Sequence, residues 1–156
     1  MAKAADIPLH PDMTFAEAAA LTVAVRAEEL FSHAENVLDT SDIERVHAMR
    51  VATRRLRAVL EIFSSCFPRE LHRAVLRDVK VLADALGERR DPDVQLEALG
   101  AIEEAMGEAD RPGLEVFADR VRAEQAQGNE HLAGALRVAE EHDLQGRLKA
   151  LVAEAA

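Results

Sequence analysis

The chain has 156 residues, a net charge of −10, 49% apolar and 31% charged residues, and one cysteine, Cys66. That length predicts a single domain able to bury a real core. The balance excludes disordered and collagen-like chains, and a lone cysteine excludes an internal disulfide or a cysteine-based zinc site. Alanine abounds, Trp and Tyr are absent, and aromatics make up only 3%. Such a composition favours helices, which Ala stabilises most, over sandwiches and barrels, which want β-branched and aromatic residues.

Residues 1–12 read as a flexible lead-in and 13–156 as one helical domain. Thr14 and Glu17 form a capping box that opens a first helix over about 15–38. Ser41 and Glu44 form a second box, opening a helix over about 42–64. Pro68 suits a first helical position and Gly87 a C-terminal stop, bounding a third helix over about 68–86. Asp91-Pro92 starts a fourth helix that ends near Gly107, with Asp91 as its cap and Asp93 in a first turn where the dipole favours negative charge. Asp110 and Pro112 start a fifth that ends near Gly128. Asn129 caps a sixth, interrupted at Gly146. Short connections make neighbours antiparallel, so the expected fold is all-α: an antiparallel four-helix bundle core plus additional C-terminal helices.

Charge is unevenly placed. From Arg45 to Arg90 there are eleven Lys or Arg and five Asp or Glu, a balance of +6, against −16 for the rest. On the second helix Met49, Ala52, Leu56, Val59, Leu60 and Phe63 form an apolar stripe. His47, Arg50, Arg54 and Arg57 recur at spacings of 3, 4 and 3 on another face, spanning about 80°, with Arg55 turned elsewhere, toward an adjacent helix. On the third helix Leu71, Val75, Val79, Leu82 and Leu86 form the apolar stripe, while Arg73, Arg77 and Lys80 line one side with Arg69 a turn earlier. Arg89 and Arg90 follow Gly87.

A single basic stripe is ordinarily a solvated face. Two adjacent stripes inside an acidic chain instead predict a cationic trough for a polyanion, because arginine donates paired hydrogen bonds to phosphate and stays charged. The basic helices offer only Glu61, Asp78 and Asp84 as nearby carboxylates, and the chain has no H-E-x-x-H, phosphate-loop or nucleophile-elbow motif. His131 and His142 stand too far apart along the axis to share a metal. The expectation is a non-enzymatic chain without cofactor or metal. Missing Trp and Tyr weigh against nucleic acid as the ligand. No stretch reaches the roughly 18–20 apolar residues of a membrane span, and the start of the chain lacks a signal-peptide core, so no membrane partner and a cytoplasmic location are expected.

The segment VHAMRVATRRLRAVLEIF (46–63) resembles the signature of the CHAD family, the conserved-histidine α-helical domain, through His47, Arg50, Arg54-Arg55 and Arg57. The segment VKVLADALGERRDPDVQLEAL (79–99) resembles the family's second block through Lys80, Gly87, Arg90, Asp91, Asp93 and Val94. The resemblance implies a helical bundle that binds inorganic polyphosphate on a basic surface. It also implies association with polyphosphate granules and with polyphosphate-metabolising enzymes. Carried over, the binding residues are His47, Arg50, Arg54, Arg57 and Lys80, joined by Arg55, Arg73, Arg77, Arg89 and Arg90. The alternatives are an adaptor whose basic face docks an acidic protein or the chain's own acidic C-terminal helices, and an accessory domain of phosphate-transfer enzymes. No second His-x-x-Arg block follows residue 100, so the chain reads as a half-length member or a fragment, and a homodimer would restore the missing half.

Overall fold

The computed structural model describes residues 3–156; Met1 and Ala2 of the expected lead-in lie outside the described residues. Five α-helices follow one another: α1 (Phe15–Ser32), α2 (Ile43–Ile62), α3 (Arg69–Ala105), α4 (Arg111–Glu141) and α5 (Leu144–Ala153), with one 3₁₀ turn at Ser64–Cys66. The expected all-α bundle is what forms. α2 packs between α1 and α3, α3 and α4 make a long hairpin, and α5 returns against α1, α3 and α4. The apolar stripes read from the sequence face one core. Met49, Ala52, Leu56 and Leu60 of α2 meet Val75, Val79, Leu82 and Leu86 of α3, with Val23 and Leu30 of α1 and Leu148 and Leu151 of α5.

The helix boundaries depart from expectation where side chains were misjudged as punctuation. At α1 the Thr14 capping box forms as read, with both reciprocal hydrogen bonds. α1 then ends at Ser32 rather than near 38, and Asn36 adopts a left-handed φ of 55° that no helix continues. The second capping box does not form. Ser41 instead bonds Asp39 through its N–H and hydroxyl, and Asp42 takes the N-cap without a side-chain bond.

The third and fourth expected helices are one 37-residue α3, running through Gly87 and Pro92. Asp91 therefore lies in mid-helix, exposed, and caps nothing. Asp93 is likewise no first-turn acid: it is buried and paired with Arg89 one turn earlier. Arg89 Nε also donates to Asn129 Oδ1 (3.1 Å), Gln125 Nε2 donates to Asp93 Oδ1 (2.7 Å), and Asn129 Nδ2 donates to the Leu38 carbonyl (3.0 Å). This network ties α3, α4 and the α1–α2 loop together across the position where a stop was expected.

The fifth and sixth expected helices are also one, α4, so Asn129 is an interior residue and not a cap. Gly128 is present for close approach. A Cβ there would lie 3.1 Å from both the Glu88 carbonyl oxygen and Arg89 Cα. That carbonyl is the one to which Pro92, lacking an N–H, cannot donate. The true break comes at Asp143, which has a left-handed φ of 48° and whose side chain accepts from the Gly146 N–H at 3.2 Å.

A second buried ionic cluster joins α1, α2 and the lead-in. Glu29 accepts from Arg26 (2.7 Å) and Arg55 (2.8 Å), and the Ala5 backbone bonds both Glu29 and Arg26. Burial pushes the Glu29 carboxyl up, but the Arg26 and Ala5 hydrogen bonds and the charges of Arg26 and Arg55 outweigh it and hold it below its ordinary value.

Two outcomes are expected. Asp93→Ala leaves Arg89 buried without its counter-ion and should lower unfolding free energy by about 3–5 kcal/mol; urea unfolding measures it, and a loss under ~1 kcal/mol would contradict the buried-pair assignment. Because the folded carboxyl of Glu29 is depressed, its stabilisation is present above the unfolded value of about 4.3 and disappears as pH falls through the lower folded value. Acid unfolding followed by circular dichroism should therefore be shallower in Glu29→Gln than in the parent.

Candidate polyanion-binding face

With the apolar stripe of α2 turned inward, helical rotation carries His47, Arg50, Arg54 and Arg57 to the opposite side. Arg54 is exposed and the other three are half-buried. Arg50, Arg54 and Arg57 sit on successive turns, stepping about 5 Å along the axis. On α3, Arg73 and Arg77 are exposed and Lys80 is half-buried; Arg69, a turn earlier, is exposed as well.

Glu61 links the two basic helices. Its Oε1 lies 3.1 Å from Arg57 Nε and 3.4 Å from Lys80 Nζ. The Arg57 hydrogen bond, helped by Lys80, outweighs slight burial and holds the Glu61 carboxyl below its ordinary value. This shared contact brings Arg57 of α2 and Lys80 of α3 to one carboxylate, so the two stripes adjoin. Among the described residues, no carboxylate lies within 4 Å of the charged groups of His47, Arg50, Arg54, Arg69, Arg73 or Arg77, whereas most other cations of the chain are paired. Among the described residues, no acidic residue of α4 or α5 forms an ion pair with a cation of the face. Glu141 pairs with Arg137, and Asp143 caps α5.

Three of the residues expected on the face lie off it. Arg55 points toward α1, where it pairs with Glu29; its rotation away from Arg54 was legible, its ionic partner was not. Arg89 is fully buried, which removes it from any surface an external polyanion touches. Arg90 is 12% exposed, with Nη2 3.7 Å from Glu97. The physical reason is the same for Arg89 and Arg90: they are interior residues of α3 packed beside α4, not loop residues after a stop at Gly87.

The sequence reading also missed an anchor beside the face. Asp78 accepts from Arg147 Nη1 (2.6 Å) and lies 3.2 Å from His142 Nδ1, fastening α5 and the end of α4 to α3. Burial pushes Asp78 up, but hydrogen bonds from Arg147 and His142 outweigh it and leave the carboxyl below its ordinary value. The partners are 64 and 69 residues away in sequence, so no local spacing announces them. Arg77 borders the same depression, together with Ala74.

Chemically, the face is an open, arginine-rich strip held by a rigid helix pair. It offers planar guanidinium forks at helical intervals, which suits an extended anion with repeating charge. Among the described residues no group of three or more His, Cys, Asp or Glu is placed to hold a metal ion. No helix of the described residues is long and apolar enough to cross a membrane. No curated protein matches the chain. The CHAD domain family model matches residues 22–156, the whole of α2–α5 and most of α1, and the chain belongs to that family.

Proposed function

We propose that the chain binds inorganic polyphosphate, without catalysing a reaction on it, along the face formed by His47, Arg50, Arg54 and Arg57 of α2 and Arg69, Arg73, Arg77 and Lys80 of α3. The observation that carries this reading is that six of these cations, His47, Arg50, Arg54, Arg69, Arg73 and Arg77, have no carboxylate partner among the described residues, on two helices joined through Glu61 in a chain of net charge −10. Like charges on successive turns cost a few tenths of a kcal/mol per pair, and a bound polyanion removes that cost. Membership of the CHAD family supports polyphosphate as the anion. Such binding would place the chain on polyphosphate granules in the cytoplasm and beside the enzymes that process the polymer.

Exposed ion pairs contribute only about 0–1 kcal/mol each, so affinity depends on the number of sites engaged at once. Long chains should bind far more tightly than triphosphate. Binding releases condensed counter-ions, so log K should fall linearly with log salt concentration. Calorimetric titration of long-chain polyphosphate at low and physiological salt tests this, with phosphate release followed in the presence of magnesium. Tight, salt-sensitive binding without released phosphate is the expected result; sustained release would overturn the non-catalytic reading.

The face itself is tested by substitution. Arg50→Glu with Arg54→Glu should weaken binding by about 100-fold, since each reversal removes an attraction and adds a repulsion, with an unchanged melting temperature. Arg120→Glu, exposed on α4 away from the face, should leave binding within about twofold, as one distant surface charge is largely screened. Normal binding by the double variant would show that the face is misassigned.

A further inference from the structure

We propose that the groove between α1 and α5 is a self-association surface, filled by α1 and α5 of a second copy of this chain.

α1 lies at the edge of the bundle, against α2 and α5. Its sequence, FAEAAALTVAVRAEELFS, sets Arg26 and Glu29 on one side and Glu17 and Glu28 on another, and is apolar over most of the remainder. Ala19, Val23 and Leu30 fill the core, while Ala20, Leu21, Ala24 and Val25 on the other sides are only partly covered. An apolar stripe of a helix is ordinarily turned against another element. Beside it runs a groove of about 600 Å³, with Ala24 and Phe31 on one wall and Leu148 and Val152 on the other. The small side chain at Ala24 permits close approach of another helix.

Charge identifies the occupant. Glu28 of α1 and Lys149 of α5 also line the groove. Both are exposed, and among the described residues neither has an ion-pair partner within 4 Å. A two-fold interface uses the same patch on both copies, so that residue i meets j and j meets i. Two copies packed α1 on α5 bring Glu28 of each to Lys149 of the other. One symmetric arrangement thus covers the apolar walls and pairs both lone charges twice. The surface is separate from the basic face, and its test needs no polyphosphate.

Sedimentation velocity of the full chain at tens of micromolar, in low salt and without polyphosphate, tests this. The parent should be a dimer. Glu28→Lys and Lys149→Glu should each weaken self-association by about tenfold or more, because symmetry turns one reversal into two like-charge contacts. Combining the two reversals should restore the parental dimer. Circular dichroism melts of the dilute proteins should coincide, which separates a lost interface from a lost fold. A monomeric parent would overturn the proposal and leave the groove to another occupant. So would a dimer indifferent to both single reversals, or one that the combined reversal fails to rescue.

Discussion

The buried pair of Arg89 and Asp93 on α3, bonded by Asn129 and Gln125, ties α3 to α4 inside the bundle. Two charges taken out of water are costly, and their attraction offsets the cost only with good geometry and further hydrogen bonds. Here Asn129 and Gln125 supply those bonds from α4. Among the described residues Arg89 Nη2 and Asp93 Oδ2 have no hydrogen-bond partner. The pair's effect is one of register. Arg89 reaches Asn129, Asn129 reaches the Leu38 carbonyl, and three separate segments are aligned by one chain of contacts. Gly128 at the same level admits the α3 backbone to 3.1 Å from where a Cβ would stand, closer than side chains ordinarily pack. A slip of one residue between the helices would break the bonds that Asn129 and Gln125 make to the pair and bring a Cβ against the Glu88 carbonyl. The α3 segment that carries Arg73, Arg77 and Lys80 is held relative to α2 by this crossing and by the shared core.

An acidic protein keeps a cationic strip only where its own carboxylates do not pair with it. Glu29 is taken by Arg26 and Arg55, Asp78 by Arg147 and His142, and Asp93 by Arg89. Glu61 is the exception, and it sits at the seam between α2 and α3, between Arg57 and Lys80. There it offsets repulsion between Arg57 and Lys80, while among the described residues Arg50, Arg54, Arg73 and Arg77 have no carboxylate within 4 Å. The remaining acidic surface repels polyanions and confines attraction to one strip.

The periodic parts of the structure were legible in the sequence. The apolar stripes of α2 and α3, and the rotation separating Arg54 from Arg55, follow from 100° per residue and need no tertiary information. Punctuation was less legible, because Gly, Pro, Asp and Asn serve several ends. Gly87 read as a stop, yet no glycine among the described residues has a positive φ. Pro92 read as a helix start, but it lies inside α3, where packing against α4 outweighs the lost hydrogen bond. Gly128 and Asn129 read as an end and a cap; they are a close approach and a bridge to Leu38. Gly128 and Asn129 take their roles from partners tens of positions away. The same holds for Arg89, whose residue type and neighbourhood resemble those of the face and whose burial depends on α3 not ending at Gly87.

Arg54 and Arg55 show how finely that dependence works. They are adjacent, chemically identical and share a helix, but one turns to solvent and the other toward α1. Arg55 meets Glu29 because α1 carries a buried carboxylate at that level, whereas Arg54 is exposed and has no carboxylate within 4 Å among the described residues. What distinguishes a structural arginine from a free one in this fold is therefore not its own helix but the charge its neighbours present. On α2 that neighbour is acidic on the α1 side and basic on the α3 side. The asymmetry leaves one flank of the helix tied into the bundle and the other flank carrying unpaired positive charge.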